Sequence, residues 1–210
     1  MSAAPESQFG LRPDVPHAVL LLAGPSGSGK SHLAARAGFP VLRLDDFYRD
    51  ADDPALPLHP TLGIPDWDDP RAWNADAAFA CIDEVSRTGT CHLPIYDIGL
   101  SKATGTHEFT AGAHRVFIAE GLFAGELVHR CAAAGILIDA IALARSPRWN
   151  FIRRMTRDFA RGRKPPLIII ERGWNLLQRE PEVVVRQAES GCRPLDAEAT
   201  RSRLAELLDY

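Results

Sequence analysis

An apolar run, AVLLLA at residues 18–23, leads straight into GPSGSGKS at Gly24 to Ser31 and from there into a helical pattern. The spacing GxxxxGK[ST], set between a strand and a helix, is that of a loop that wraps an anion. Glycine frees the backbone to turn successive N–H groups inward, and the positive end of the following helix faces the same point. Gly24, Ser26, Gly27, Ser28, Gly29, Lys30 and Ser31 are therefore expected to cradle the phosphates of a nucleotide. Lys30 supplies a mobile charge for the β- and γ-phosphates and Ser31 a hydroxyl for Mg²⁺, so ATP and Mg²⁺ are the expected cofactors. A chance glycine–serine turn would need none of this context.

The same loop bears on the fold class. Further short apolar runs lie at Val41 to Leu44, Val116 to Ala119 and Ile136 to Leu143, bracketed by glycine or proline as buried strands of a parallel sheet are. Helical patterns occupy Lys30 to Ala37, Ala72 to Arg87, Pro147 to Arg161, a stretch around Trp174 to Arg186, and Asp196 to Leu208. Strands alternating with helices predict an α/β protein, a P-loop NTPase three-layer fold with a mainly parallel central sheet, helices on both faces and a helical lid. A chain of 210 residues suits one domain, over 17–210, behind a proline-punctuated tail at 1–16 that is expected to be mobile. Residues 50–114, rich in Pro, Asp and Gly, hold the second and third strands far apart and are expected to form a substrate-binding excursion. A decorated loop with its own helix is the alternative.

A phosphate cradle does not name a reaction, because NTPases, switches and motors share it. The acids say more. VFIAEG, Val116 to Gly121, puts Glu120 at the carboxyl end of an apolar strand, where its carboxylate can hold Mg²⁺ or its waters opposite Ser31. VLRLDDFY, Val41 to Tyr48, ends another strand in Asp45 and Asp46. Phosphoryl transfer to a hydroxyl uses a carboxylate that orients the nucleophile and takes its proton, a role for which Asp45 is the candidate. An acid there can also cap a following helix, and Asp46 is the better placed for that. Helical spacing puts Arg154, Arg157 and Arg161 on one face, either to neutralise charge developing at the phosphates or as a solvated surface.

Charge and composition narrow the partners. A net charge of −3 gives no global positive field for nucleic acid or an anionic membrane. No apolar run approaches the ~20 residues of a membrane-crossing helix. The start, MSAAPESQFGLRPDVPHA, carries acid and proline where a secretory signal has a basic end, so a cytoplasmic protein is expected. Cys81, Cys91, Cys131 and Cys192 form no CxxC pair, which favours reduced thiols over zinc or a disulfide framework. The histidines show no metal-ligand spacing, and Trp67, Trp73, Trp149 and Trp174 are expected to serve packing, with a wall of the substrate site as the alternative for Trp67 and Trp73, which bracket the substrate segment.

GPSGSGKS at Gly24, LDDFY at Leu44, DWDDPRAW at Asp66, PIYD at Pro94, AEG at Ala119 and RRMTRDFARGR at Arg153 follow one another as in the uridine kinase family of P-loop kinases. Over about residues 18–165 the chain resembles that family, close to the phosphoribulokinase and pantothenate kinase group. The resemblance implies ATP-dependent phosphorylation of the 5′-hydroxyl of a nucleoside. It implies Asp45 as the base, Tyr48 lining the substrate site, Asp68 holding the ribose hydroxyls and Tyr96 packing by the nucleobase. It also implies that Arg157 and Arg161 close over the nucleotide, and Arg154 and Arg163 over the acceptor. A vicinal diol is a two-donor target that suits a carboxylate such as Asp68, although Asp68 or Asp69 could instead cap a helix begun near Pro70.

Departures from the family also count. The stretch between Arg157 and the RGR triplet is one residue shorter than usual, and Ser101 stands where the family offers a histidine to the pyrimidine. A serine reaches less far, so weak activity on uridine and a better acceptor elsewhere are expected. Nicotinamide riboside, pantothenate or a sugar are alternatives within kinases. From another class, an ATP-binding regulatory protein without an acceptor would have no use for a diol clamp. Homo-oligomers fit any of these readings.

Overall fold

A computed structural model of the chain describes residues 9–58, 63–146, 149–153, 155–156 and 181–208. The run ahead of the phosphate loop becomes β1, Ala18–Ala23, every residue of it buried. Helix α1, Lys30–Ala35, follows the loop, and β2, Val41–Arg43, comes next. After the excursion come α2 (Ala75–Thr88), the paired strands β3 (Thr90–Asp97) and β4 (Lys102–Thr110), and β5 (Val116–Glu120). Helix α3 (Val128–Ala133), β6 (Leu137–Leu143), β7 (Arg193–Leu195) and α4 (Ala197–Leu208) complete the labelled elements.

The main sheet has the order β2-β5-β1-β6-β7, and every neighbouring pair in it is parallel. Covering both faces explains why its central strands read as continuous apolar runs. Along β1 the pleat sends Val19, Leu21 and Ala23 into one core with α2 and α3, while Ala18, Leu20 and Leu22 join Leu33 of α1 and Leu204 and Leu207 of α4. The expected α/β sheet with helices on both faces is what forms.

Helix α2 shows how the local sequence sets its limits. The Asn74 side chain accepts the Ala77 N–H at 3.1 Å to open it, and Gly89, at φ 83°, closes it in the left-handed region. Ala78, Cys81, Ile82 and Val85 form its buried stripe. The helix starts later than the Ala72 expected from pattern, because Pro70–Ala72 is a separate 3-10 turn capped by Asp69 and Trp73 is extended. The helices expected from Pro147 and from Trp174 lie only partly within the described residues. Of these, 149–153, 155–156 and 181–189 are helical.

One expectation is corrected. Cys81 and Cys91 are not separate thiols but a disulfide between α2 and β3, because the turn at Gly89 folds the strand back along the helix and brings the two Cα atoms to 5.7 Å. Cys131 and Cys192 are free and buried. The described part of the N-terminal tail is laid onto the domain: Phe9, Leu11 and Val15 pack against the cores, and Arg12 N–H donates to the Gly135 carbonyl at 2.9 Å.

Inside the fully buried β6 sits one charge, Asp139. Its Oδ2 accepts Arg193 Nη2 at 2.6 Å and Arg203 Nε at 2.7 Å, tying β6 to β7 and α4. Breaking a fully buried pair costs ~3–5 kcal/mol, and the partial exposure of Arg193 reduces that. Asp139→Asn is expected to destabilise by about 2–3 kcal/mol, measured as a lower urea midpoint at unchanged slope. A midpoint within ~0.5 kcal/mol of the parent would show that the arginines find water instead.

Candidate active site

The phosphate loop is seated on the sheet by Gly24, whose φ of 143° no other residue adopts easily and where a Cβ would meet the Leu143 carbonyl at 2.9 Å. Lys30 is buried and its Nζ donates to the Gly24 and Pro25 carbonyls, at 2.7 and 3.1 Å. Ser31 lies within reach of Glu120, which ends β5 at 3% exposure. Burial pushes the Glu120 carboxyl above its ordinary range; Lys30 opposes the rise, Asp45 adds to it, and Ser31 and Arg43 oppose it further.

The LDDF turn reaches this point because Gly121 has no side chain. A Cβ there would lie 2.8 Å from Leu44 Cβ and 3.2 Å from Asp45 Oδ1. The Leu122 N–H points at Asp45 Oδ1 from 3.4 Å. Asp45 is exposed, whereas Asp46 is buried, 3.8 Å from Arg43, and raised in pKa chiefly by burial. Neither acid caps a following helix. LDDF is itself a 3-10 turn, and the chain leaves it extended at Tyr48.

Tyr48 gathers the other segments. Its ring lies 5.9 Å from Trp67, 6.1 Å from Tyr96 and 6.0 Å from Phe123. Residues 47–49 run beside 72–74, with Asn74 N–H on the Phe47 carbonyl and Arg49 N–H on that of Ala72, both at 2.9 Å. The Tyr96 hydroxyl donates to the Arg49 carbonyl at 3.0 Å, and burial followed by Asp50 pushes its pKa up to about 12. Asp69 takes the capping role, accepting the Arg71 N–H at 2.8 Å, while Asp68 is half-buried in the same turn with its N–H on Asp66 Oδ1. Trp73 is a packing residue, 3% exposed with its Nε1 donating to the Leu44 carbonyl.

Not every expected residue comes to this point. Ser101 lies in the turn between β3 and β4 at φ 49°, its hydroxyl 3.5 Å from the Ile98 carbonyl. Arg154, Arg157, Arg161 and Arg163 lie outside the described residues. An open cavity of about 340 Å³ is lined by Asp46, Tyr48, Asp50, Asn74 and Pro94 but not by Asp45, Glu120 or Lys30, so it lies to one side of the phosphate end. Among the described residues no cluster of three or more His, Cys, Asp or Glu is gathered for a metal, and no helix is long and apolar enough to cross a membrane. Pattern missed Phe123, two residues past the EG pair, and Arg153, whose guanidinium lies over Gly29. Phe123 has no periodic signal, and Arg153 is off the helix face shared by the other arginines.

The chain is similar in fold to a provisionally named fructose transport system kinase from a Silicibacter species, at a TM-score of 0.61 and 20% identity, over 84% of this chain and 88% of that one. It is similar also to phosphoribulokinase from Rhodobacter spheroides, at 0.52 and 16%, over 86% and 70%. The chain shares the fold of these two kinases. A possible uridine kinase from Bacillus stearothermophilus aligns over 68% of this chain and 79% of that one, at 18% identity and a TM-score of 0.47. No family model matches the chain.

Because the fold raises the Glu120 pKa, the folded protein binds more protons than the unfolded chain between the ordinary value of 4.5 and the raised one. Stability must therefore fall as pH rises through that window. Glu120→Gln, neutral throughout, should remove this slope, including the part set by Lys30, which acts only on the ionised carboxylate. Urea midpoints of both proteins between about pH 4 and 7 check this, since parallel profiles would mean that Glu120 titrates as an ordinary carboxyl.

Proposed function

We propose that this protein is an ATP- and Mg²⁺-dependent kinase that phosphorylates a hydroxyl of a small molecule, with a nucleoside-like diol as the acceptor. The observation that carries the reading is the placement of Asp45 beside Glu120, at the edge where Lys30 and Ser31 sit. A switch or motor needs the loop and a metal-holding acid; a second carboxylate with an exposed face serves an attacking hydroxyl.

The residues present fit the nucleotide and its metal. Ser28 Oγ is buried in the loop with no hydrogen-bond partner among the described residues, and the Lys30 ammonium is buried against the loop carbonyls of Gly24 and Pro25. Lys30 and the loop amides would hold the phosphates, and Ser31 with Glu120 would hold Mg²⁺, which supplies charge neutralisation when bound. Asp45 orients the acceptor hydroxyl and accepts its proton as the new bond forms. The Tyr48, Trp67, Tyr96 and Phe123 rings would form an apolar wall for the acceptor, and Asp68 its diol contact. Arg154, Arg157, Arg161 and Arg163 remain the proposed closing arginines.

Asp45→Asn separates these roles. It should lower kcat by about 10²–10⁴, the usual worth of a positioned general base, and leave ATP affinity within about threefold. Lys30→Ala or Ser31→Ala should weaken nucleotide binding itself. Near-normal turnover in Asp45→Asn would move the base elsewhere.

Acceptor choice follows from Ser101. A serine held on a turn carbonyl is a poor substitute for a histidine aimed at a pyrimidine, so uridine should not be the best acceptor. Specificity constants for ribonucleosides, nicotinamide riboside, pantothenate and sugars, with Ser101→His beside the parent, test this. Uridine leading the panel by a wide margin, with no gain from the histidine, would refute it.

A further inference from the structure

The edge of the phosphate loop opposite Asp45 carries positive charge that the proposed roles leave unused. A Cβ built on Gly29 would lie 3.4 Å from Arg153 Nη2 and 3.6 Å from its Cζ, so this guanidinium lies directly over the loop. Arg145 follows β6, two residues past the Leu143 carbonyl on which Gly24 is seated, and the Ala144 N–H ties that segment to the Leu195 carbonyl at 2.8 Å. Arg145 lies within electrostatic reach of both Arg153 and Arg201, and its Nε is buried without a hydrogen-bond partner among the described residues. Burial, then Arg153, then Arg201 lower its pKa, and only Asp196 opposes them. The Asp196 carboxylate already accepts the Glu198 and Ala199 N–H groups at the start of α4.

Like charges gathered beside an anion cradle repel each other until an anion arrives. Elsewhere the fold pairs its half-buried arginines: Arg49 with Asp53, and Arg193 and Arg203 with Asp139. No such ion pair is formed by Arg145, Arg153 or Arg201 among the described residues. We infer that Arg145 and Arg153, which precede the row of closing arginines, form a fixed cationic wall that binds the phosphate chain of the nucleotide, with Arg201 adding to its field. This rests on the kinase reading above and adds residues to the nucleotide side of that site. Planar guanidinium groups suit phosphate oxygens, and they need not move far when one of them already lies over the loop.

The test is calorimetric binding of ATP, AMP and inorganic tripolyphosphate to the full chain, its Arg153→Gln and Arg145→Gln variants, and Arg153→Lys. Each glutamine variant should lose about tenfold or more in affinity for ATP and tripolyphosphate and much less for AMP, and Arg153→Lys should recover part of the loss. Melting of the ligand-free proteins gives the second readout. Arg145→Gln should melt no lower than the parent, since it relieves repulsion, whereas a residue kept for structure would melt lower. Parent-like ATP and tripolyphosphate affinities in both glutamine variants would overturn the inference and leave the kinase reading standing. A parent protein that binds neither ATP nor tripolyphosphate would overturn the kinase reading, and the wall with it.

Discussion

Strand β1 is hydrogen-bonded to β5 on one side and β6 on the other, both parallel to it, with β2 beyond β5. In a parallel sheet every carboxyl end lies on the same edge, so whatever follows these strands is brought together whatever its distance in sequence. The phosphate loop follows β1, the LDDF turn follows β2, Glu120 ends β5, and Arg145 comes after β6. The strands are held in that order by burial on both faces, roughly 1.5–3 kcal/mol for each large apolar side chain removed from water. The site is therefore a by-product of sheet pairing, and the chemistry depends on which side chains stand at four strand ends.

Close approach refines what pairing begins. Gly24 lets the loop sit on Leu143, and Gly121 lets Leu44 and Asp45 come within contact of the end of β5. Each is a position where a single methyl group would push two functional segments apart. Beyond them, Tyr48 joins the excursion to the sheet through Trp67, Tyr96 and Phe123, so the segments that would meet an acceptor are fixed to the segment carrying the proposed base.

The central strands, the phosphate loop and the convergence of Lys30, Ser31, Asp45 and Glu120 were legible in the sequence because each follows from a local rule: a continuous apolar run, a fixed glycine spacing, an acid at a strand end. The β3–β4 ribbon was not. Strand β4 is exposed at all but Phe109, and Pro94 interrupts the short alternation of Cys91, Leu93 and Ile95 in β3, so Thr90 to Thr110 reads as part of the excursion. Strand β7 is three residues long and carries a proline, and it exists because Leu143 and its neighbours offer it an edge. The Cys81–Cys91 disulfide depends on the turn at Gly89, which cysteine spacing does not reveal. Arg153 belonged to a visible basic run, but helical spacing favoured its neighbours, and only the placement of its own guanidinium over Gly29 singles it out.

Whether the acids at this edge serve transfer to an acceptor, and not only nucleotide binding or hydrolysis, is decided by where the terminal phosphate goes. With ATP labelled at the γ-phosphate, Mg²⁺ and a pooled set of diol-bearing small molecules, the label should appear in a phosphomonoester of one of them, and Lys30→Ala should abolish its appearance. Label released only as inorganic phosphate, at the same rate with and without the pool, would contradict the account.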